Sequence, residues 1–344
     1  MSTSTLSWQR MTQRVEKVRT RWKLVYIFLS IWLVSSIIRN PSLFAAQFVS
    51  GFVYGMILVM IALGLALILG LMGIINFAHG ALFMLGAYLA FSVVSWFGLS
   101  FWAALIIAPL AIGLIGALME VITLRPLHGS DPEAALLLTF GLTMMFEEAI
   151  RFVWGAQPKS YSTPSILTQP VNLGVTSVPS SRIFTVAIGM ISLAVVYLLI
   201  VRTDFGLTIR AGVQDAEMTE LAGVNLPIRF TAMFVIGAML AGLAGVLRSA
   251  EVGLDPGMGG TFIIIVFVVI VIGGMGSFFG AIVGGLLIGW ARFLVPGMLE
   301  TAAYYTGIQA FNIQGIARVL PFLLMIIVLL DRPRGLFGEE GFLE

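Results

Sequence analysis

Apolar residues run along this chain in long unbroken stretches, with neither the alternation of a half-buried strand nor the one-sided stripe of a surface helix. Ten such stretches stand at 22–38, 47–70, 80–97, 101–124, 134–154, 183–201, 230–250, 261–274, 279–295 and 316–330. A helix crossing the hydrocarbon core of a bilayer needs roughly 20 apolar residues. The pattern therefore predicts an all-α polytopic membrane protein of about ten transmembrane helices. The polar stretch 155–182, rich in Pro, Ser, Thr and Gln, predicts an external loop, and 202–229 a cytoplasmic one. Gly73 and Gly80 in the first half, and Gly273, Gly274 and Gly276 in the second, permit discontinuous or re-entrant segments. Such breaks are tolerated in a membrane only where they line a cavity or pack inside protein.

Composition supports this reading. Of the 344 residues 59% are hydrophobic and 10% charged, against about 25% charged in a soluble domain, which excludes an ordinary globular protein. The absence of cysteine excludes disulfides and thiolate metal sites, and His79 and His128 are too few to suggest a histidine-built metal centre. Arg10, Arg14, Lys17, Arg19, Arg21 and Lys23 crowd the first 23 positions. This cluster reads as a signal for orientation rather than a nucleic-acid surface. With that end in the cytoplasm, alternation places Arg125, Arg202, Arg210, Arg229, Arg332 and Arg334 on the same side. The remaining cations, Arg39, Arg151, Lys159, Arg182, Arg248, Arg292 and Arg318, scatter singly near the opposite ends. Both termini are thus expected to be cytoplasmic. The expected organisation is a basic tail over 1–21, one transmembrane domain over 22–338 beginning with a retained signal-anchor helix, and a short tail over 339–344.

Candidate chemistry is sparse. The 202–229 loop predicts a helix of about two turns: Asp215 stands at the N-cap, Glu217 and Glu220 in the first turns, and Gly223 at a left-handed C-cap before Pro227. Such a helix either lines the membrane or docks a cytoplasmic partner. Asn76, His79 and Gly80 fall in the first glycine-flanked break, where free amides and carbonyls suit a zwitterionic solute. The alternative there is a hydrogen-bonded tie between two helix ends. Gly273, Gly274 and Gly276 are the corresponding element of the second half, with close helix packing as the alternative. Glu147, Glu148 and Arg151 form an external-side polar cluster in which Glu147 and Arg151 pair at i,i+4; a proton-relay role for Glu148 would belong to an ion-coupled carrier. Glu120 is expected to pair with Arg125 or to lie at the interface, and Glu251 and Asp255 to form a solvated turn. An echo links 47–129 to 261–335, each running span, glycine break, two spans and an Arg-Pro loop, as in a same-direction duplication. No nucleophile–base pair or metal-ligand spacing emerges, so neither catalytic nor metal-ligating residues are assigned.

The strings INFAHG (75–80), MLGAYLA (84–90), RPLHGSDP (125–132), LLLTFGL followed by EEAIRFVWG ending at 155, and FGLTIRAGVQD (205–215) form the first part of a larger pattern. It continues with AGLAGVL (241–247), GGMGS (273–277) before FGAIVGGLLIG, and RPRGLFG (332–338). Together they resemble the permeases of branched-chain amino-acid ABC transporters over nearly all of 47–338. Met218 and Thr219 depart from that pattern, standing where two alanines are usual in the coupling loop. The resemblance implies an inner-membrane permease subunit of an importer for branched-chain or related amino acids, with urea, amides and other small organic solutes among the family's reported cargoes. It implies a second permease, two ATP-binding subunits and an external substrate-binding protein as partners. Arg210, Asp215, Glu217, Glu220 and Gly223 would then couple to the ATPase, and ATP and magnesium would bind the partners. Consistent with that division, the only lysines are Lys17, Lys23 and Lys159, and no Gly-x-x-x-x-Gly-Lys-Ser/Thr loop occurs.

Overall fold

The computed structural model describes residues 30–127, 131–311, 313 and 315–338. The tails 1–21 and 339–344, the first part of the 22–38 stretch and His128 lie outside the described residues. A helix lies on each of the ten apolar stretches, since a lipid-facing chain must satisfy its amides internally. In chain order these are α1 (Ser30–Arg39), α2 (Pro41–Met72), α3 (His79–Phe91), α4 (Phe101–Met119) and α5 (Pro132–Trp154). A short α6 (Ser165–Thr168) and a hairpin of β1 (Pro170–Asn172) and β2 (Ser177–Pro179) occupy the polar 155–182 stretch, with Val171 opposite Val178. There follow α7 (Ser180–Arg202), α8 (Asp204–Gln214), α9 (Ala216–Leu221), α10 (Leu226–Val252), α11 (Met258–Gly273), α12 (Phe278–Thr306) and α13 (Ile316–Asp331). The α3 helix is extended by a π turn over Ser92–Trp96, and α4 by another over Glu120–Leu124.

Among the described residues six helices are long and apolar enough to cross a membrane: α2, α3 and α4 with their extensions, α7, α10 and α12. Two more, α1 and α11, are apolar but shorter. The chain is a multi-pass helical membrane protein.

The bundle is built around α2. From Ile57 to Leu63 none of its side chains is more than 1% exposed, as expected of a helix apolar on every face. It packs antiparallel to α12, Gly51 facing Trp290 and Val59 facing Gly285. A Cβ on Gly51, Gly55, Gly285 or Gly289 would stand 2.4–3.1 Å from the opposing helix. Small residues let these backbones touch, the usual way helices adhere in lipid. The α4–α10 pair is also antiparallel, with Gly113 against Met239 and Gly116 against Ala238.

These pairings revise the internal echo. Asn40 caps α2 just before Pro41, and Asn225 caps α10 just before Leu226 and Pro227; Gly73 (φ +64°) ends α2 and Gly253 (φ +81°) ends α10. Each is followed by a break of five or six residues and then by α3 or α11. Because α11 reaches α12 through a tight turn, it runs with α2, so α10 runs against it. The repeat relates α2–α5 to α10–α13 with inverted direction, the arrangement that places solute sites at the interface of two halves in many transporters. Sequence suggested a same-direction match because Arg-Pro loops are a common way to stop any helix.

Candidate functional site

The break after α2 turns the chain back into the bundle. Gly73 closes α2 on the Leu69 carbonyl at 2.9 Å, yet the next helix begins at His79, whose Nε2 lies 3.1 Å from the Ile61 carbonyl. Ile61 is eleven residues before the end of α2, about 16 Å at 1.5 Å per residue. The reading of Asn76 and His79 as a tie between two helix ends is therefore revised: the start of α3 is held to the middle of α2. From α5, the Thr139 hydroxyl accepts from Phe77 N at 3.2 Å and stands 3.4 Å from the Ile75 carbonyl.

The polar side chains at the end of this break and the start of α3 are buried and incompletely satisfied. Asn76 and His79 are fully buried, and both amide atoms of Asn76, Nδ1 of His79 and the Tyr88 hydroxyl have no hydrogen-bond partner. Since Nε2 faces a carbonyl, it carries the proton in the neutral ring, and Nδ1 is left as an acceptor. Unmet buried polar groups cost about 1–3 kcal/mol each, which marks the cluster as a place where something polar belongs.

Gly80, in the first turn of α3, meets Gly259, in the first turn of α11. A Cβ on Gly80 would stand 2.5 Å from the Gly259 carbonyl, and one on Gly259 2.8 Å from the Gly80 carbonyl. Two helix N-termini thus abut, backbone on backbone, and neither has a side-chain cap or an acidic residue in its own first turn. Each N-terminus carries about half a positive charge. Phe83 of α3 and Phe262 of α11 cover the meeting point, their centroids 4.6 Å apart.

Gly273, Gly274 and Gly276 lie elsewhere. They form the tight turn into α12, with Gly274 at φ +104° and Gly276 at φ +77°, and Gly276 packs on Gly70 near the end of α2. Leu336 N and Phe337 N donate to the Ile272 and Gly273 carbonyls, each at 2.8 Å, so the Arg-Pro segment seals the turn. It is fourteen residues from Gly259, about 21 Å along α11, and is not brought together with Asn76, His79 and Gly80. The positional counterpart of 73–78 is 253–257.

In the 202–229 loop the structure holds two helices where the sequence pattern suggests one, α8 forming on the Thr203 cap. Asp215 caps α9, its Oδ1 accepting from Met218 N at 2.9 Å, and Gly223 (φ +90°) ends it. Glu217 and Glu220 are exposed, as are Met218 and Leu221 at 62% and 76%. Arg210 donates to the Ile200 carbonyl, fastening α8 to α7. Beside them Glu120 is fully buried; Arg125 donates to both its oxygens, at 3.2 and 2.9 Å, and Thr231 to Oε2 at 2.7 Å, tying α4 to α10.

At the opposite, hairpin end Arg151 binds Glu148 at i,i+3, with Glu147 at 4.0 Å; the expected i,i+4 pair is the looser one. Glu147 instead lies against the start of α11, its Oε1 3.3 Å from where a Cβ of Gly260 would stand. The same end gathers Arg182, Arg248 and Arg292 around Tyr54 and Glu251, a cluster that a reading of scattered single cations missed. The signal was present: Arg248 and Arg292 fall inside apolar stretches, where an ionisable residue is by default functional. Tyr161, in the polar 155–182 stretch, donates to the Val246 carbonyl at 2.9 Å and pairs with the Ser249 hydroxyl; burial holds its phenol well above the ordinary tyrosine range.

Fold and site together define a multi-pass helical membrane protein in which the first turns of α3 and α11 meet inside the bundle. The chain belongs to the branched-chain amino acid transport system permease component family, whose model matches residues 47–329. It is 31% identical over 307 residues to the high-affinity branched-chain amino acid transport system permease protein BraD of Pseudomonas aeruginosa, covering 85% of this chain and 95% of that one. It is 28% identical over 291 residues to LivH of Escherichia coli, a permease protein of the same description, covering 79% and 88%. A match to LivM of the same organism, at 26% over 300 residues, covers 78% of this chain and 65% of that one. No solved structure matches the chain.

Proposed function

We propose that this chain is the membrane-spanning permease subunit of an ABC importer that moves branched-chain or related amino acids across the bacterial inner membrane. The solute arrives from an external binding protein, and partner subunits that bind ATP and magnesium supply the energy. Likeness to both LivH and LivM, two permease proteins of one described system, supports pairing with a second permease. In this reading the ten apolar stretches, with their breaks, all take part in crossing the membrane, both termini are cytoplasmic, and 73–78 and 253–257 are re-entrant breaks that line the path near Asn76, His79 and Gly80.

The observation that carries the reading is α9. A capped helix that leaves Met218 and Leu221 exposed between Glu217 and Glu220 is shaped to enter a cleft on a partner. ATP-driven closure of the two ATPase subunits would push α8 and α9. The Glu120–Arg125–Thr231 tie would carry that displacement into α4 and α10, shifting the bundle between inward- and outward-facing states. The test is to purify the tagged chain gently from its native membrane and identify its stoichiometric partners. An ATPase subunit and a second permease are expected; a pure, transport-competent chain without an ATPase refutes the reading. In the assembled complex, Gly223→Pro is expected to leave ATP hydrolysis running while uptake stops.

A further inference from the structure

Arg248 of α10 and Arg292 of α12 lie over the ring of Tyr54 of α2, their guanidinium carbons 5.5 and 4.8 Å from its centroid. Tyr54 is only 3% exposed. Glu251 accepts from Arg248 Nη1 at 3.1 Å and lies 3.4 Å from Arg182 Nε, and Arg182 also donates to the Ser50 hydroxyl at 2.8 Å. Three guanidiniums therefore gather here, and two of them, Arg182 and Arg248, share the Glu251 carboxylate. Among the described residues Arg292 has no carboxylate within ion-pair distance, and its hydrogen bond to the Tyr54 hydroxyl is 3.4 Å long. Arg248 Nε is buried without a partner.

A guanidinium cannot shed its proton to relieve this crowding. Like charges held across one neutral ring repel each other, the more strongly for being partly out of water. An anion would relieve the crowding, and the planar fork of arginine matches a carboxylate through paired hydrogen bonds. The cluster is also well placed. Phe262 links Arg248, 5.9 Å from its ring centroid, to Phe83 at the meeting of α3 and α11. Tyr54 is seven residues before Ile61, about 11 Å along α2, so the cluster stands roughly one small solute's length on the hairpin side of His79.

We propose that Arg248, Arg292 and Tyr54 form a carboxylate-binding station that receives the solute before it reaches the α3–α11 meeting point and favours carboxylate-bearing solutes over amides that lack the carboxylate. This rests on the importer reading above. A lipid phosphate carries the same oxyanion chemistry, and the test separates the two.

The full chain, purified with its co-purifying subunits into phosphatidylcholine nanodiscs, is titrated with labelled L-leucine and with L-leucinamide, which keeps the side chain and lacks the carboxylate. Leucine is expected to bind at least roughly tenfold tighter than leucinamide. Arg292→Gln should weaken leucine roughly tenfold, the size of one charge-assisted hydrogen bond, and leave leucinamide unchanged. Arg292→Lys, which keeps the charge, should recover part of the loss, and equal thermal midpoints of the variants confirm that they fold. Equal weakening of both ligands, leucine binding indifferent to Arg292→Gln, or no leucine binding by the parent would each overturn the station. So would displacement of leucine by phosphatidylglycerol added to the nanodiscs, which assigns the arginines to lipid. The two readings fail separately: without an ATPase among the co-purifying subunits the importer falls, whereas an intact complex that ignores Arg292→Gln removes the station alone.

Discussion

The two breaks occupy corresponding places in the inverted halves and differ in their charge. The start of α11 is supplied with acids: Asp255 accepts from Gly257 N at 2.9 Å, and the Glu147 carboxylate reaches Gly260 from α5. Asp255 is exposed, so this hydrogen bond costs little desolvation. The break before α3 carries no acid of its own, and Asn76 and His79 there are buried and short of partners. Equivalent helix dipoles are compensated in one half and left open in the other.

This contrast can be broken most severely at the shared contact. Gly80→Val puts side-chain atoms where a single Cβ already stands 2.5 Å from the Gly259 carbonyl, so uptake should fall beyond roughly a hundredfold, together with the yield of folded chain on size exclusion. Next, Asn76→Leu removes two unsatisfied atoms from a buried site. Uptake should drop roughly tenfold while the thermal midpoint holds or rises, because each such atom costs about 1–3 kcal/mol. A fall in both would mean that the amide is structural. Asp255→Ala, the corresponding change in the compensated half, removes one exposed hydrogen bond to the backbone worth about 1 kcal/mol. It should lower the midpoint slightly and change uptake less than about threefold.

The smallest effect concerns the hairpin end, where Tyr161 ties the 155–182 stretch to α10. Because Tyr161 holds its proton above the ordinary tyrosine range, folded and unfolded chains are equally protonated below pH 10. As pH rises past 10 the unfolded chain ionises first, and stability falls. Melting curves from pH 9 upward should show that decline, and Tyr161→Phe should reduce its slope.

Much of the helical layout was legible because a bilayer demands long apolar runs, and the 261–274 run, only fourteen residues long, still marked α11. Asp215 was legible as a cap because local chemistry decides caps. What sequence could not separate was the two kinds of glycine: Gly80 sits at a helix crossing and Gly274 in a turn with φ +104°, yet both look like interruptions. Nor could it bring Arg182, Arg248 and Arg292 together, since their meeting depends on how α7, α10 and α12 pack around α2. The inverted direction of the repeat was hidden for the same reason, because orientation is a property of packing and not of any local string.

The Gly80–Gly259 contact has a mechanical consequence. With no side chain between them to bend or repack, the first turns of α3 and α11 touch backbone on backbone, so neither helix can slide or tilt at this point without displacing the other.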